Sequence, residues 1–375
     1  MSVAEQSALL PTYPAPRVTF VDGDGTMLVD DTGREYLDFA AGIAVVALGH
    51  RHPAPLAAAH AQLDRLWHAS NLFATQPAQK LAAALSHRFG GAQVFFCNSG
   101  AEANEAALKY ARKATGKPGV IALEQSFHGR TTGALAVTGQ QAKRAAFEPL
   151  LDGVRFVPPN DVFALQTAMS RDVGLILLEP VLGEGGVIPL DPAFLAAARE
   201  LDVVLALDEV QTGVGRTGSF FAFEQLGVKP DLVTLAKGLA NGLPIGCLLV
   251  ADGAADAFAP GDHGSTFGGN PVTCAAALAV EEAIDDALLA NVQANGERLQ
   301  VGLAGLPHVV DVRGRGLLVG AELDEPAQPY VDAALDAGLV CLTSGANVLR
   351  LAPPLVVDAA EIDRAIAILT EVLTA

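Results

Sequence analysis

The sequence predicts an α/β protein: a large domain with a mainly parallel sheet sandwiched by helices, and a smaller α+β domain. Three observations carry this. From about Pro53, helical patterns ("PLAAAHAQLDRLWHA", "PAQKLAAALSHRFG", "AEANEAALKYARKAT") alternate with short apolar runs ("AQVFFC", "GVIAL", "VGLILLEPV", "VVLALDE", "LVTLA"). Such alternation is what parallel strands joined by crossover helices produce. At 375 residues the chain also exceeds one small domain. After "STFGGNP" the strands become sparser and Gly and Pro more frequent.

In chain order, residues 1–45 read as a lead-in segment that belongs with the small domain. Its "RVTFVDGDGTMLVDDTGREYLDF" alternates apolar and polar positions around "DGDG" and "DDTG" turns. Residues 46–270 form the large, ligand-binding domain. Residues 271–375 form the small C-terminal domain, opening with one long helix expected from Val272 to about Leu303.

Composition narrows the function classes. A formal charge of −18 and a pI near 4.7 argue against nucleic acid or an acidic membrane as partner. Any anionic ligand must then be held by local cations. No apolar run has bilayer length, and "MSVAEQSALLPTYPAP" lacks a basic region followed by a hydrophobic stretch, so a cytoplasmic protein is expected. Cys97, Cys247, Cys274 and Cys341 show no C-x-x-C spacing, which points to reduced thiols and to no metal site.

"GVGRTG", Gly213 to Gly218, is formally G-x-G-x-x-G, but five residues separate it from the preceding strand and bulky "SFFAFEQLG" follows it. A dinucleotide turn needs the strand immediately before and a helix immediately after. The sharper feature is Asp208, a carboxylate at the C-terminal end of "VVLAL", where open parallel sheets bind ligands. Lys237 ends the apolar "DLVTLAKG" before glycine-rich "GLANGLPIG". Burial there lowers an amine's pKa, as a Schiff-base lysine requires, although a snorkelling lysine fits the same position. A lysine together with an acid for a pyridinium nitrogen is the arrangement that binds pyridoxal phosphate. Ser99 and Gly100 lead into a strong helix whose free amides suit a dianion, or are simply its N-cap.

The stretches "FFCNSGAEANEAALKYAR", "SFHGRTTGAL", "LLEPVLGEGGV", "LALDEVQTGVGRTG", "LAKGLANGLPIG" and "GSTFGGNPV" resemble, in order and spacing, the class III aminotransferases of fold type I. The resemblance covers nearly the whole chain. It implies a pyridoxal-phosphate transaminase working as a homodimer with shared active sites. Position by position, it implies Lys237 as the Schiff-base lysine, Asp208 as partner of the ring nitrogen, and Ser99, Gly100 and Ala101 at the phosphate. It further implies Phe127 on the cofactor ring, Gln211 near the ring hydroxyl, Glu209 beside the cofactor, and Thr266 on the phosphate of the neighbouring subunit. For substrate it implies Arg130, Ser265, Arg350 and the acid that masks it, Glu184, with Tyr13 as a further contact from the lead-in segment.

Within the class, "YLDFAAGIAVVALGH" and "GLPIGCLLV" are most similar to the members that act on N-acetylornithine in arginine biosynthesis, with 2-oxoglutarate as acceptor. Some positions depart from the pattern. Leu182 stands where many relatives have glutamine, Val46 where asparagine or threonine is frequent, and Ile43 where ornithine-specific members carry tyrosine. A carrier-bound lysine-biosynthesis substrate and 4-aminobutyrate remain open, as do, outside the class, an NAD-dependent dehydrogenase and a non-catalytic cofactor-binding regulator. His128 in "SFHGR" reads as a packing or hydrogen-bonding residue, and "GVGRTG" as a structural loop.

Overall fold

Apolar runs of the sequence become the strands β1 (Ala92–Cys97), β2 (Gly119–Leu123), β3 (Val154–Val157), β4 (Val173–Leu178), β5 (Val204–Asp208), β6 (Leu232–Leu235) and β7 (Gly246–Ala251) of a computed structural model that describes residues 8–254 and 256–374. Among the described residues they form a seven-stranded sheet in the order β1-β7-β6-β5-β4-β2-β3. β7 runs antiparallel to β1 and β6, and the other pairs are parallel. Every residue of β2 and β4 is buried, because helices cover both faces of the sheet. Helix Gly100–Thr115 packs on β6 and β7 through Ala103, Ala106, Ala107 and Ala111, whereas helix Gln76–Phe89 covers β1 from the other core.

The small domain carries an antiparallel sheet of Val309–Arg315, Leu318–Leu323, Val348–Leu351 and Leu342–Ser344, backed by helices Asp286–Leu303 and Ala359–Thr374. The lead-in segment joins this end of the molecule. Strand Glu35–Asp38 pairs in parallel with Leu339–Val340, and Leu37 and Phe39 enter the same core.

The single helix expected from Val272 to Leu303 is two helices, Pro271–Ala283 and Asp286–Leu303. Ile284 leaves helical geometry at φ −86°, ψ 84°, and Asp285 caps the second helix by accepting from the Leu288 amide at 2.8 Å. The first helix packs on Pro53–Leu63 and Gln76–Phe89, with Cys274, Ala277 and Val280 in the large core. The second places Val292, Leu299 and Leu303 in the small one. Ile284 and Asp285 thus separate a helix packed in the large core from one packed in the small core.

The "GVGRTG" loop is a structural joint. No α-helix follows it, only a short 3-10 turn at Ala222–Gln225. Buried Arg216 donates to the carbonyls of Leu317, at 3.0 Å, and of Pro353, tying the loop to the small domain. The four cysteines are buried and unbridged. Among the described residues no helix is long and apolar enough to cross a membrane.

Candidate active site

The C-terminal ends of β1, β2, β4, β5 and β6 meet at one edge of the large sheet, the edge at which parallel α/β sheets present ligands. There a cavity of about 450 Å³ is lined by Ser99, Gly100, Ala101, Asn104, Phe127, His128, Arg130, Glu179, Asp208, Gln211 and Lys237, among others. The strand-end acid and lysine singled out in the sequence thus face one space.

Asp208 ends β5 and is almost fully buried. Its Oδ2 accepts from Asn104 Nδ2 and His128 Nδ1, both at 2.7 Å, and its Oδ1 from the Val210 amide at 3.0 Å. Burial opposes a charged His128 ring, but the hydrogen bond and charge of Asp208 more than offset this and raise its pKa. Asn104 is itself fixed, donating to the His128 carbonyl at 2.7 Å and accepting from Thr234 Oγ1 at 2.8 Å. With Oδ2 occupied by two side chains, Oδ1 keeps acceptor capacity for a ligand N–H.

Lys237 begins a 3-10 turn directly after β6, with φ +42°, an uncommon value for a residue other than glycine. Burial, reinforced by the nearby charge of Arg350, lowers its amine to about 8. Also lining the cavity, Ser99 caps helix Gly100–Thr115 by accepting from the Glu102 amide at 3.2 Å. Gly100 and Ala101 line the cavity at this helix N-terminus, where the helix dipole favours an anion. A Cβ on Gly100 would lie 2.7 Å from a Val210 methyl, so the close approach of this turn to the segment after β5 requires glycine.

Arg350, on strand Val348–Leu351, is 4% exposed. It donates to the Gly183 carbonyl at 3.0 Å and to Gln211 Oε1 at 3.3 Å, and forms an ion pair with Glu184. Burial pushes the Glu184 carboxyl up, yet Arg350 and the nearby lysines hold it below its ordinary value. Ser344 fixes the loop that carries Glu184, donating to the Gly183 carbonyl at 2.9 Å and accepting from the Gly186 amide at 2.7 Å. Arg130 is exposed and has no ion pair among the described residues; its guanidinium lies 5.7 Å from the Phe127 ring centroid.

Two expected residues, Glu209 and Tyr13, fall elsewhere. Glu209 does not line the cavity. Neighbouring residues at a strand end point to opposite sides, and its carboxylate accepts from the Ala222 and Phe223 amides at 2.6 and 2.9 Å, where burial raises its pKa to about 8. Tyr13 is 86% exposed and outside the cavity, since residues 8–19 precede the first strand and make few backbone bonds. Thr266 is exposed, while Ser265 Oγ accepts from Asn98 Nδ2 at 3.1 Å and from the Gly268 amide at 2.9 Å, just behind the cavity wall.

Asn104 and Glu179 also line the cavity, and no sequence motif singles them out. The available signal was a lone amide on an alanine-rich buried helix face, and a carboxylate ending the wholly apolar "LILL". Glu179 accepts from the Phe127 amide at 2.8 Å and the Gly183 amide at 3.2 Å, and burial raises its pKa to about 7.

A flat pyridine bearing an aldehyde and a phosphate fits this cavity. The buried amine suits the aldehyde, the free lone pair of Asp208 the ring N–H, and the glycine-dependent helix end the phosphate. Comparisons with known proteins agree. The family described as aminotransferase class-III matches residues 11–373. An acetylornithine aminotransferase of Corynebacterium efficiens is 49% identical, covering 97% of this chain and 94% of its own length. One from Mycolicibacterium smegmatis is 48% identical, covering 98% and 96%. Among solved structures, the N-acetylornithine aminotransferase of Stenotrophomonas maltophilia is 38% identical with a TM-score of 0.84, covering 96% of each chain. The ornithine aminotransferase of Toxoplasma gondii is 32% identical with a TM-score of 0.93, covering 98% and 92%. The chain belongs to the class III aminotransferases, enzymes of fold type I that depend on pyridoxal phosphate.

Proposed function

We propose that the protein moves the δ-amino group of N2-acetyl-L-ornithine to 2-oxoglutarate, giving N-acetyl-L-glutamate 5-semialdehyde and L-glutamate, a step of arginine biosynthesis. The observation that carries this reading is the buried Arg350–Glu184 pair beside an Arg130 that has no ion pair. Acetylornithine reacts through an amine whose only carboxylate is at the far end of the molecule. Glutamate carries one carboxylate beside its reacting amine and another at the far end. Arg130 serves both distal groups, and Arg350 serves the proximal one after Glu184 releases it. While acetylornithine is bound, Glu184 keeps Arg350 from standing as an uncompensated buried charge. The acetylornithine aminotransferases at 48–49% identity support the same donor.

Lys237, Asp208, Phe127, Gln211 and the amides at Ser99, Gly100 and Ala101 would hold the cofactor. When bound, pyridoxal phosphate supplies an electron sink that stabilises negative charge at the amine-bearing carbon. Lys237 Nζ, lowered toward neutrality, removes the proton from that carbon. Asp208, held by His128 and Asn104, keeps a proton on the ring nitrogen. Exposed Thr266 would reach the phosphate of the neighbouring subunit's cofactor, with Ser265 near the substrate, which makes a homodimer the working unit. Four unbridged cysteines are in keeping with a cytoplasmic location. A panel of amino donors tests the reading: acetylornithine should show the highest kcat/KM, above ornithine, 4-aminobutyrate and lysine derivatives. A clear preference for any of the others would overturn it.

A further inference from the structure

Lys143 has no place in the machinery so far. It sits on the short helix Gln141–Arg144, and its Nζ lies 4.7 Å from the centroid of the Phe127 ring. The Arg130 guanidinium approaches the same ring at 5.7 Å. Phe127 and Arg130 both line the active-site cavity. Lys143 is thus tied to the cavity through the Phe127 ring, while Gln140 and Glu184 line a second cleft.

This ammonium is half-buried, yet it forms no ion pair or side-chain hydrogen bond among the described residues. The acids whose charge reaches it are engaged elsewhere. Glu184 is held by Arg350, and Glu179 accepts from the Phe127 and Gly183 amides. Burial lowers its pKa; the charge of Glu184 opposes this, and the like charges of Arg130 and Arg350 add to it. Lys113, by contrast, pairs with Asp262 on the surface. Two cations approach one ring at the cavity wall, neither in an ion pair among the described residues, and an entering anion would stabilise both. The cation–π contact with Phe127 is worth only about 0.5–1 kcal/mol at a partly wet site and leaves the ammonium's donors free.

Resting on the reading above, we infer that Lys143 binds substrate: with Arg130 it forms a two-cation receptor for the distal carboxylate shared by acetylornithine, glutamate and 2-oxoglutarate. The receptor is specific for charge at the far end of the donor and indifferent to the reacting amine. Lys143 belongs to the site through that carboxylate and takes no part in proton transfer.

The test uses holoenzyme, single-turnover kinetics and two donors that differ by one group: acetylornithine and N-acetyl-1,4-diaminobutane, which is the same molecule without its carboxylate. Losing one charge-assisted contact in Lys143→Gln should raise the half-saturating concentration of acetylornithine, and of glutamate, roughly tenfold. It should leave N-acetyl-1,4-diaminobutane unchanged. Lys143→Arg should restore most of the loss, and Lys143→Met should repeat the Gln result if that variant folds poorly. Equal effects on both donors, or none on acetylornithine, would overturn the inference. Should every carboxylated donor suffer selectively while acetylornithine is not the preferred one, Lys143 keeps its role and only the donor assignment falls.

Discussion

Replacing Lys237 with methionine should abolish amino transfer and also stabilise the cofactor-free protein, by an amount that depends on pH. The folded chain holds this amine at about 8, against an ordinary value of 10.5, chiefly by burial. Between those two values the unfolded chain binds the extra proton and the folded chain does not, so raising the pH through that window favours folding. Below about pH 8 both states are protonated and the full burden of the buried ammonium is present. A difference of about 2.5 pKa units corresponds to roughly 3 kcal/mol. Lys237→Met removes the charge and nearly preserves the volume. Urea unfolding of the two cofactor-free proteins should therefore show the variant more stable by up to roughly 3 kcal/mol at pH 7, with the gap closing as pH approaches 10. A variant no more stable at pH 7, or a gap that does not shrink with pH, would show that the buried ammonium carries no such penalty. It would mean that Glu184, Asp208 and Glu179 compensate the ammonium fully.

Other outcomes follow from the same geometry. Asp208→Ala removes a charge-assisted contact worth about 2 kcal/mol, so the transfer rate in single turnovers should fall at least roughly 30-fold while some cofactor is retained through the helix end; a near-normal rate would count against its role at the ring nitrogen. Gly100→Ala puts a Cβ 2.7 Å from Val210 and should weaken cofactor affinity about tenfold or more by equilibrium dialysis, whereas unchanged affinity would remove that turn from the phosphate site. Asp285→Ala deletes the cap between two helices and should cost about 1 kcal/mol in urea unfolding without altering the rate of transfer.

Asp208 and Lys237 were legible in the sequence because each terminates an apolar run, and sheet topology alone sends such ends to one edge. Glu209 was misread for a reason equally local. A strand reverses its side-chain direction at every residue, so the carboxylate adjoining Asp208 faces away, toward the Ala222 and Phe223 amides. The break at Ile284 was hidden because apolar residues continue across it, and Asp285 reads as an ordinary surface acid until Leu288 is seen donating to it. The left-handed turn that gives Ile43 a φ of +69° had no sequence signal either, since a β-branched residue is disfavoured there and tertiary context alone imposes it. Asn104 depends on a partner far along the chain, Asp208, which spacing does not encode.

In the proposed scheme one site handles two differently charged donors because Arg130 is always available and Arg350 is masked by Glu184 until a proximal carboxylate arrives. Single-turnover rates for each half-reaction, measured separately in Arg130→Ala and Arg350→Ala, test this most directly. Arg130→Ala should slow both halves. Arg350→Ala should slow the glutamate and 2-oxoglutarate half on the order of 100-fold, the loss of a buried charge-assisted pair, and the acetylornithine half far less. Equal losses in both halves for Arg350→Ala would contradict the account and leave the Arg350–Glu184 bridge as a structural ion pair.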